Sequence, residues 1–183
     1  MQQMELYSPR LILKSITPAF ITDIFTTKSE AEIKAYFGFD DSGYQHALQM
    51  HLQGMETHCI SFHYFLLIDK QTQLPIGECG FHTWNKTHRR AELFYAMRSD
   101  EFKQKGFMTE AVKAVIEFGY SQMQLHRIAA FIDDNNTASK KLLLRYGFTK
   151  EGTMREDYCV DGVNEDSDCY SLLRWEWEKQ PLS

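Results

Sequence analysis

Cysteine is scarce in this chain and widely scattered. The four present, Cys59, Cys79, Cys159 and Cys169, include no CxxC pair, so a disulfide framework and a cysteine-based zinc site are not expected, and the thiols read as reduced. His58, Cys59 and His63 crowd one short stretch, but it falls where a helix passes into a strand. Their side chains are expected to diverge, and no metal is expected. Long apolar runs are missing too, with none near the roughly 18 residues of a membrane-spanning helix. Clustered positive charge is also lacking: 20 Lys and Arg stand against 25 Asp and Glu, a net charge of −5. Nucleic-acid binding needs basic clusters against phosphate, so that partner is not expected, and a cationic one is mildly favoured. The opening MQQMELYSPR lacks the basic and apolar regions of a signal peptide, so a cytoplasmic location is expected. No repeat, low-complexity tract or linker divides the 183 residues. A single domain over 1–183 is expected.

The composition that remains is that of a globular protein, with 14% aromatic and 25% charged residues. A strand is predicted over Arg10 to Lys14, where Leu11 and Leu13 alternate with Ile12. Thr17 can cap and Pro18 can open a helix to about Thr27, burying Ile21, Ile24 and Phe25. A second helix is predicted after Ser29. A third follows Gly43, with Ala47, Leu48, Leu52 and Met55 at helical spacing. FHYFLLI, the polar DKQTQ and LPIGECGF read as a hairpin, and NKTHRR leads to a further strand, AELFYAM. The clearest helical period begins near Gly106, through Met108, Val112, Val115, Ile116 and Met123. HRIAAFI is a strand, TASKKLLLRY a helix closed by Gly147, and CYSLLRW the last clear strand. This order predicts an α/β fold, a mixed sheet with packed helices. AELFYAM, the Gly106 helix and HRIAAFI form a strand, helix, strand unit of the kind that runs parallel and gathers ligands at the strand's C-terminal end.

At that end lies EFKQKGFMTEAV, a polar turn opening directly into the helix. Unpaired backbone N–H groups at a helix start attract anions. Gly106 allows close approach of a phosphate, and Lys103 and Lys105 add positive charge. A glycine and two lysines also begin many ordinary helices. About thirty residues on, NNTASKKLLLRYGF places Asn136 at a helix start and Ser139 one turn in, and Asn136 can serve simply as an N-cap. The turn lacks the GxxxxGK[ST] spacing of a P-loop, which argues against a nucleotide-binding regulator.

Together these stretches resemble the GNAT superfamily of N-acetyltransferases, and within it the RimJ/RimL-type branch, which acetylates protein N-termini and other primary amines. SPRLILK, PIGECGF, AELFYAM, KQKGFMTEA, NTASKKLLLRYGF and EGTMRE carry the resemblance along nearly the whole chain. It implies a single-domain fold whose parallel strand pair is splayed and whose helices cover both faces of the sheet. It also implies acetyl-CoA as acetyl donor, held at its pyrophosphate by Lys103, Gln104, Lys105, Gly106, Phe107, Met108 and Thr109. The strand Phe94, Tyr95, Ala96 and Met97 would line the pantetheine arm, and Asn136 would hydrogen-bond it. Two positions depart from the family pattern. Met108 stands where a second small residue is usual, and Leu143 replaces the Tyr that many members use to protonate the leaving thiolate.

Ser139 then inherits the proton-donor role by resemblance to the branch, although a Ser in a first helical turn also bonds readily to backbone. Glu92 is the candidate base, with Glu78, Asp133 and Asp134 as fallbacks, and positioning of the reactants alone can supply roughly 7 to 11 kcal/mol in favourable cases. The expected partner is an amine: a protein N-terminus, a polyamine, an amino sugar or another small amine. The resemblance leaves monomer and homodimer open. A fold that binds acyl-CoA with weak or no turnover is the alternative.

Overall fold

A computed structural model describes residues 3–180. Its eight strands form one sheet in the order β1-β2-β3-β4-β5-β6-β8-β7. These are β1 (Glu5–Tyr7), β2 (Leu11–Ile16), β3 (Ile60–Asp69), β4 (Pro75–Asn85), β5 (Arg90–Met97), β6 (Arg127–Asp133), β7 (Thr149–Val160) and β8 (Val163–Leu173). The helices are α1 (Pro18–Thr27), α2 (Glu30–Phe37), α3 (Asp41–Gln53), α4 (Phe107–Ser121), α5 (Thr137–Arg145) and α6 (Arg174–Glu178).

Local chemistry explains the helix starts. Thr17 accepts the Phe20 N–H at 3.2 Å, Pro18 occupies the first turn of α1, and Ser29 with Glu32 forms a reciprocal capping box on α2. On one face of the sheet α1, α2 and α3 bury Ile21, Ile24, Ile33, Phe37 and Tyr44 against Phe62, Leu66 and Ile68. On the other face α4 and α5 pack over β2, β4, β5 and β6, with Val112, Val115, Ile116 and Leu143 inaccessible to solvent. Helix α4 can lie close because Gly119 faces Phe81, and a Cβ there would come within 2.7 Å of that ring.

Every strand pair is antiparallel except β5 and β6. That pair runs parallel through only three rungs, Arg90 with Arg127, Ala91 with Ile128 and Glu92 with Ala129. Beyond Glu92 the strands part: β5 stays on β4, and β6 stays on β8 as far as Asp133. The sheet is therefore notched at the C-terminal ends of its parallel strands, with helices covering both faces, as the resemblance implied.

Several details differ from expectation. β1 and the long β7 are additional strands; β7 is a sheet edge whose side chains are nearly all exposed, so it lacks the one-sided alternation that marks a strand in sequence. α3 begins before Gly43, and Leu52 is 68% exposed, so its apparent apolar stripe is narrower than the spacing suggests. Phe25 is half-buried rather than buried. Met123 is buried just beyond the end of α4. His58 and Cys59 are exposed in the loop before β3, whereas His63 lies within β3 and its ring nitrogen meets the Ser15 hydroxyl at 2.8 Å.

Candidate active site

The Gly106 turn is shaped by backbone. A 3-10 turn, Asp100–Phe102, precedes it, Gln104 and Gly106 take left-handed conformations at φ 59° and 81°, and Gly106 caps α4 without a side chain. The first amides of α4 thus receive no side-chain cap, an arrangement suited to an anion. Arg10 braces the turn. Its guanidinium donates to the Lys105 carbonyl at 2.9 Å and to Glu110 at 2.6 Å, and it lies 4.3 Å above the Phe107 ring. Glu110 also accepts from the Arg10 amide and the Ser8 hydroxyl; burial pushes its pKa up, but the Arg10 guanidinium, with those two donors, holds its carboxyl below the usual range. Nothing in the turn's own sequence points to Arg10, which comes from the bend just before β2.

A cavity of about 480 Å³ opens along this turn. Its walls include Tyr95, Ala96, Met97, Lys103, Gln104, Gly106, Phe107, Met108, Thr109, Asn136 and Ser139. Lys105 is not in the wall, and Lys103 is engaged at 2.6 Å by Asp100. The side chain of Met108 packs against the core. Asn136 caps α5, its side-chain oxygen accepting the Ser139 N–H at 3.0 Å, so its NH₂ group remains to donate. Tyr146 donates to the Thr109 carbonyl at 2.5 Å, fixing the start of α4 to the end of α5.

The notch between β5 and β6 holds a second cavity of about 570 Å³, which shares Tyr95, Asn136 and Ser139 with the first. Along β5, Leu93, Tyr95 and Met97 pack toward α4 and α5. Glu92 and Phe94 meet His82 and Tyr64 toward the other face. The notch therefore passes through the sheet. The Tyr95 hydroxyl is shielded from solvent and makes no hydrogen bond of normal geometry. Burial pushes its pKa up, and Ser139 beside it offsets part of that push.

On the opposite lip the Glu92 carboxylate is 3.4 Å from His82 Nε2 and 3.5 Å from the Thr83 hydroxyl. Burial raises the Glu92 pKa, Thr83 opposes the rise, and nearby Asp157 adds to it. Burial lowers that of His82. A bulge in β4 sets this geometry: Thr83 takes φ 50°, strained for a β-branched residue, and its hydroxyl meets His82 Nδ1 at 2.8 Å. A second bulge, in β7 with Glu156 at φ 53°, precedes Asp157 and Tyr158, which line the notch with Asp133. His82, Asp157 and Tyr158 escaped the sequence reading, the last two because β7 itself did. Of the fallback bases, Glu78 lines a third cavity, and Asp134 lines none of the three. Among the described residues no group of three or more His, Cys, Asp or Glu could hold a metal ion.

An uncapped helix start joined to a notched parallel strand pair is the arrangement that the sequence resemblance implied, and comparison with known proteins agrees with that resemblance. Residues 10–149 match the family described as Acetyltransferase (GNAT) domain, and the chain belongs to that family. It is 30% identical over 174 residues to the uncharacterized N-acetyltransferase YoaA of Bacillus subtilis (strain 168), covering 92% of this chain and 96% of that one. It is 31% identical over 141 residues to the [ribosomal protein uS5]-alanine N-acetyltransferase of Escherichia coli (strain K12), covering 74% of this chain and 69% of that protein. The crystal structure of ribosomal-protein-S5-alanine acetyltransferase from Vibrio fischeri shares the fold, with a TM-score of 0.68 at 23% identity over 97% of this chain and all (100%) of that one. The chain is an N-acetyltransferase of the GNAT type.

Proposed function

We propose that residues 1–183 act as one unit that transfers an acetyl group from acetyl-CoA to a primary amine, either a protein N-terminal α-amine or a small-molecule amine. One observation carries this reading: the cavity at the uncapped start of α4 shares the walls Tyr95, Asn136 and Ser139 with the notch that holds Glu92 and His82. Acetyl-CoA bound there supplies a thioester carbonyl already activated toward an amine. The amides following Gly106 hold the pyrophosphate, and the Asn136 NH₂ group donates to the pantetheine arm. Backbone groups from Phe94 to Met97, left without a β6 partner, bond the same arm as an added strand would.

Glu92 takes the proton released from the amine nitrogen as the N–C bond forms and the C–S bond breaks. Its raised pKa brings it nearer the operating pH, which suits a general base. His82, kept neutral by burial, stands beside it as an acceptor of the same proton. Ser139 delivers a proton to the departing sulfur. An aliphatic hydroxyl is a poor acid by itself, but the Tyr95 phenol beside it, a stronger acid than an alcohol even with its pKa pushed up by burial, can replace the proton as Ser139 gives one up. This relay fills the role that Leu143, buried in the core, cannot perform.

Titration calorimetry with acetyl-CoA, followed by thiol release in the presence of amines, tests the reading. Absence of binding at millimolar acetyl-CoA would rule it out. Binding without amine-dependent release would leave a coenzyme A-binding protein of the same fold.

A further inference from the structure

We infer that the pocket between α1, α3 and the sheet selects an acceptor bearing a second cationic group at the far end of an apolar body, and that Glu78 recognises that second charge. This rests on the acetyl-transfer reading above and narrows its substrate class. The pocket encloses about 480 Å³ and joins the notch through His82 and Phe94. Its walls are mostly apolar, with Ile21, Met50, Met55, Phe62 and Tyr64 among them. A strongly polar acceptor such as an amino sugar would leave its hydroxyl groups unpaired there.

The floor is laid out by strand register. Glu78 stands opposite Ala96, Gly80 opposite Phe94, and His82 opposite Glu92. Tyr64 faces Gly80 from the other side and meets the Phe94 ring edge-on at 5.7 Å. No side chain can rise from Gly80, because a Cβ there would lie 2.2 Å from the Tyr64 Cα. The middle row is therefore aromatic, with the reacting end at His82 and Glu92 on one side of it and the Glu78 carboxylate on the other. Four residues of strand separate the ends, about 13 Å along the backbone before the side chains lean inward. An apolar body the size of one benzene ring or a short alkyl chain fits between two such points.

Among the described residues no side-chain hydrogen bond contributes to the state of the Glu78 carboxylate. The charged or titratable groups that act on it are Arg98 and His46. The Arg98 guanidinium faces the Gly38 carbonyl at 3.4 Å and the Phe39 ring at 5.2 Å. Burial outweighs both groups and pushes the Glu78 pKa up. A carboxylate set into an apolar wall is costly until a cation meets it. A ligand ammonium supplies that partner, and the surrounding rings favour the same charge.

Two probes of matching shape separate the possibilities: para-xylylenediamine, and para-methylbenzylamine, which lacks only the second amine. With saturating acetyl-CoA the diamine is expected to exceed the monoamine in kcat/KM by about tenfold or more, mostly through KM. In Glu78→Gln that preference should fall to roughly twofold. Calorimetric binding of the diamine to the protein should weaken by about tenfold in the same variant, a readout that needs no turnover. Equal use of the two probes by the unaltered protein, or a diamine preference that survives in Glu78→Gln, would overturn the inference. Should other amines release thiol while neither probe is used or bound, the substrate class is wrong and acetyl transfer stands. Should no amine release thiol, the transfer reading fails, and the calorimetric comparison still decides whether Glu78 binds the second charge.

Discussion

In the proposed mechanism Ser139 and Tyr95 work as a pair, because neither hydroxyl alone offers both the position and the acidity that a leaving thiolate requires. Ser139→Ala should lower kcat by about 10- to 100-fold, and Tyr95→Phe by a comparable factor. The double variant should be scarcely worse than the poorer single one, since groups acting as a unit are not additive. Acetyl-CoA affinity should stay within roughly twofold throughout; an unchanged rate in Ser139→Ala would return that residue to a purely structural role. His63 provides a separate residue-scale test. Burial among Phe65 and Phe118 lowers its pKa from 6.5 to about 4. Between those values the unfolded chain carries a proton that the folded chain refuses. Stability is therefore complete above the unfolded pKa and declines as pH falls toward the folded one, by up to about 3 kcal/mol. Urea denaturation at neutral pH and near pH 5 should show the loss, and His63→Gln should flatten it.

At the scale of elements, the turn proposed to hold acetyl-CoA is a backbone device. Gly106→Ala would place a side chain at φ 81° and a Cβ 3.2 Å from the Arg10 guanidinium. A left-handed residue costs about 1–2 kcal/mol, so acetyl-CoA should bind about tenfold more weakly while kcat at saturation changes little. Unaltered affinity would mean that the turn does not hold the pyrophosphate. The elements also show what could be read in advance. α4 was legible because Val112, Val115 and Ile116 repeat at the helical period and all turn inward; α5 was legible from its Asn136 start and its Gly147 stop, the latter at φ 78°. β7 was not, because an exposed edge leaves no hydrophobic alternation in its sequence. Its bulge brings Asp157 and Tyr158 to the notch, and such bulges follow from sheet geometry instead of local residue pattern. The Thr83 bulge hid His82 for the same reason, and Arg10 reaches the turn only through the packing of β2 beside α4.

For the whole molecule, the decisive feature is that the sheet stops pairing after Glu92. The gap makes a cavity with Ser139 and Tyr95 on one side and Glu92 and His82 on the other, and in the proposed mechanism the two reactants meet there from opposite faces. Resemblance in sequence pointed to this cavity, and the register of β5 and β6 gives it a physical form. Glu92→Gln should lower kcat/KM for an amine by about 100-fold or more and remove the acidic limb of the pH–rate profile that its raised pKa imposes. A profile that keeps this limb would assign the base elsewhere, with His82 first in line. The most direct test of the account is thiol release from acetyl-CoA measured across a panel of primary amines, with mass spectrometry of the products. The account predicts amine-dependent release matched mole for mole by N-acetylated amine; acetyl-CoA binding with no release above the amine-free rate would contradict it.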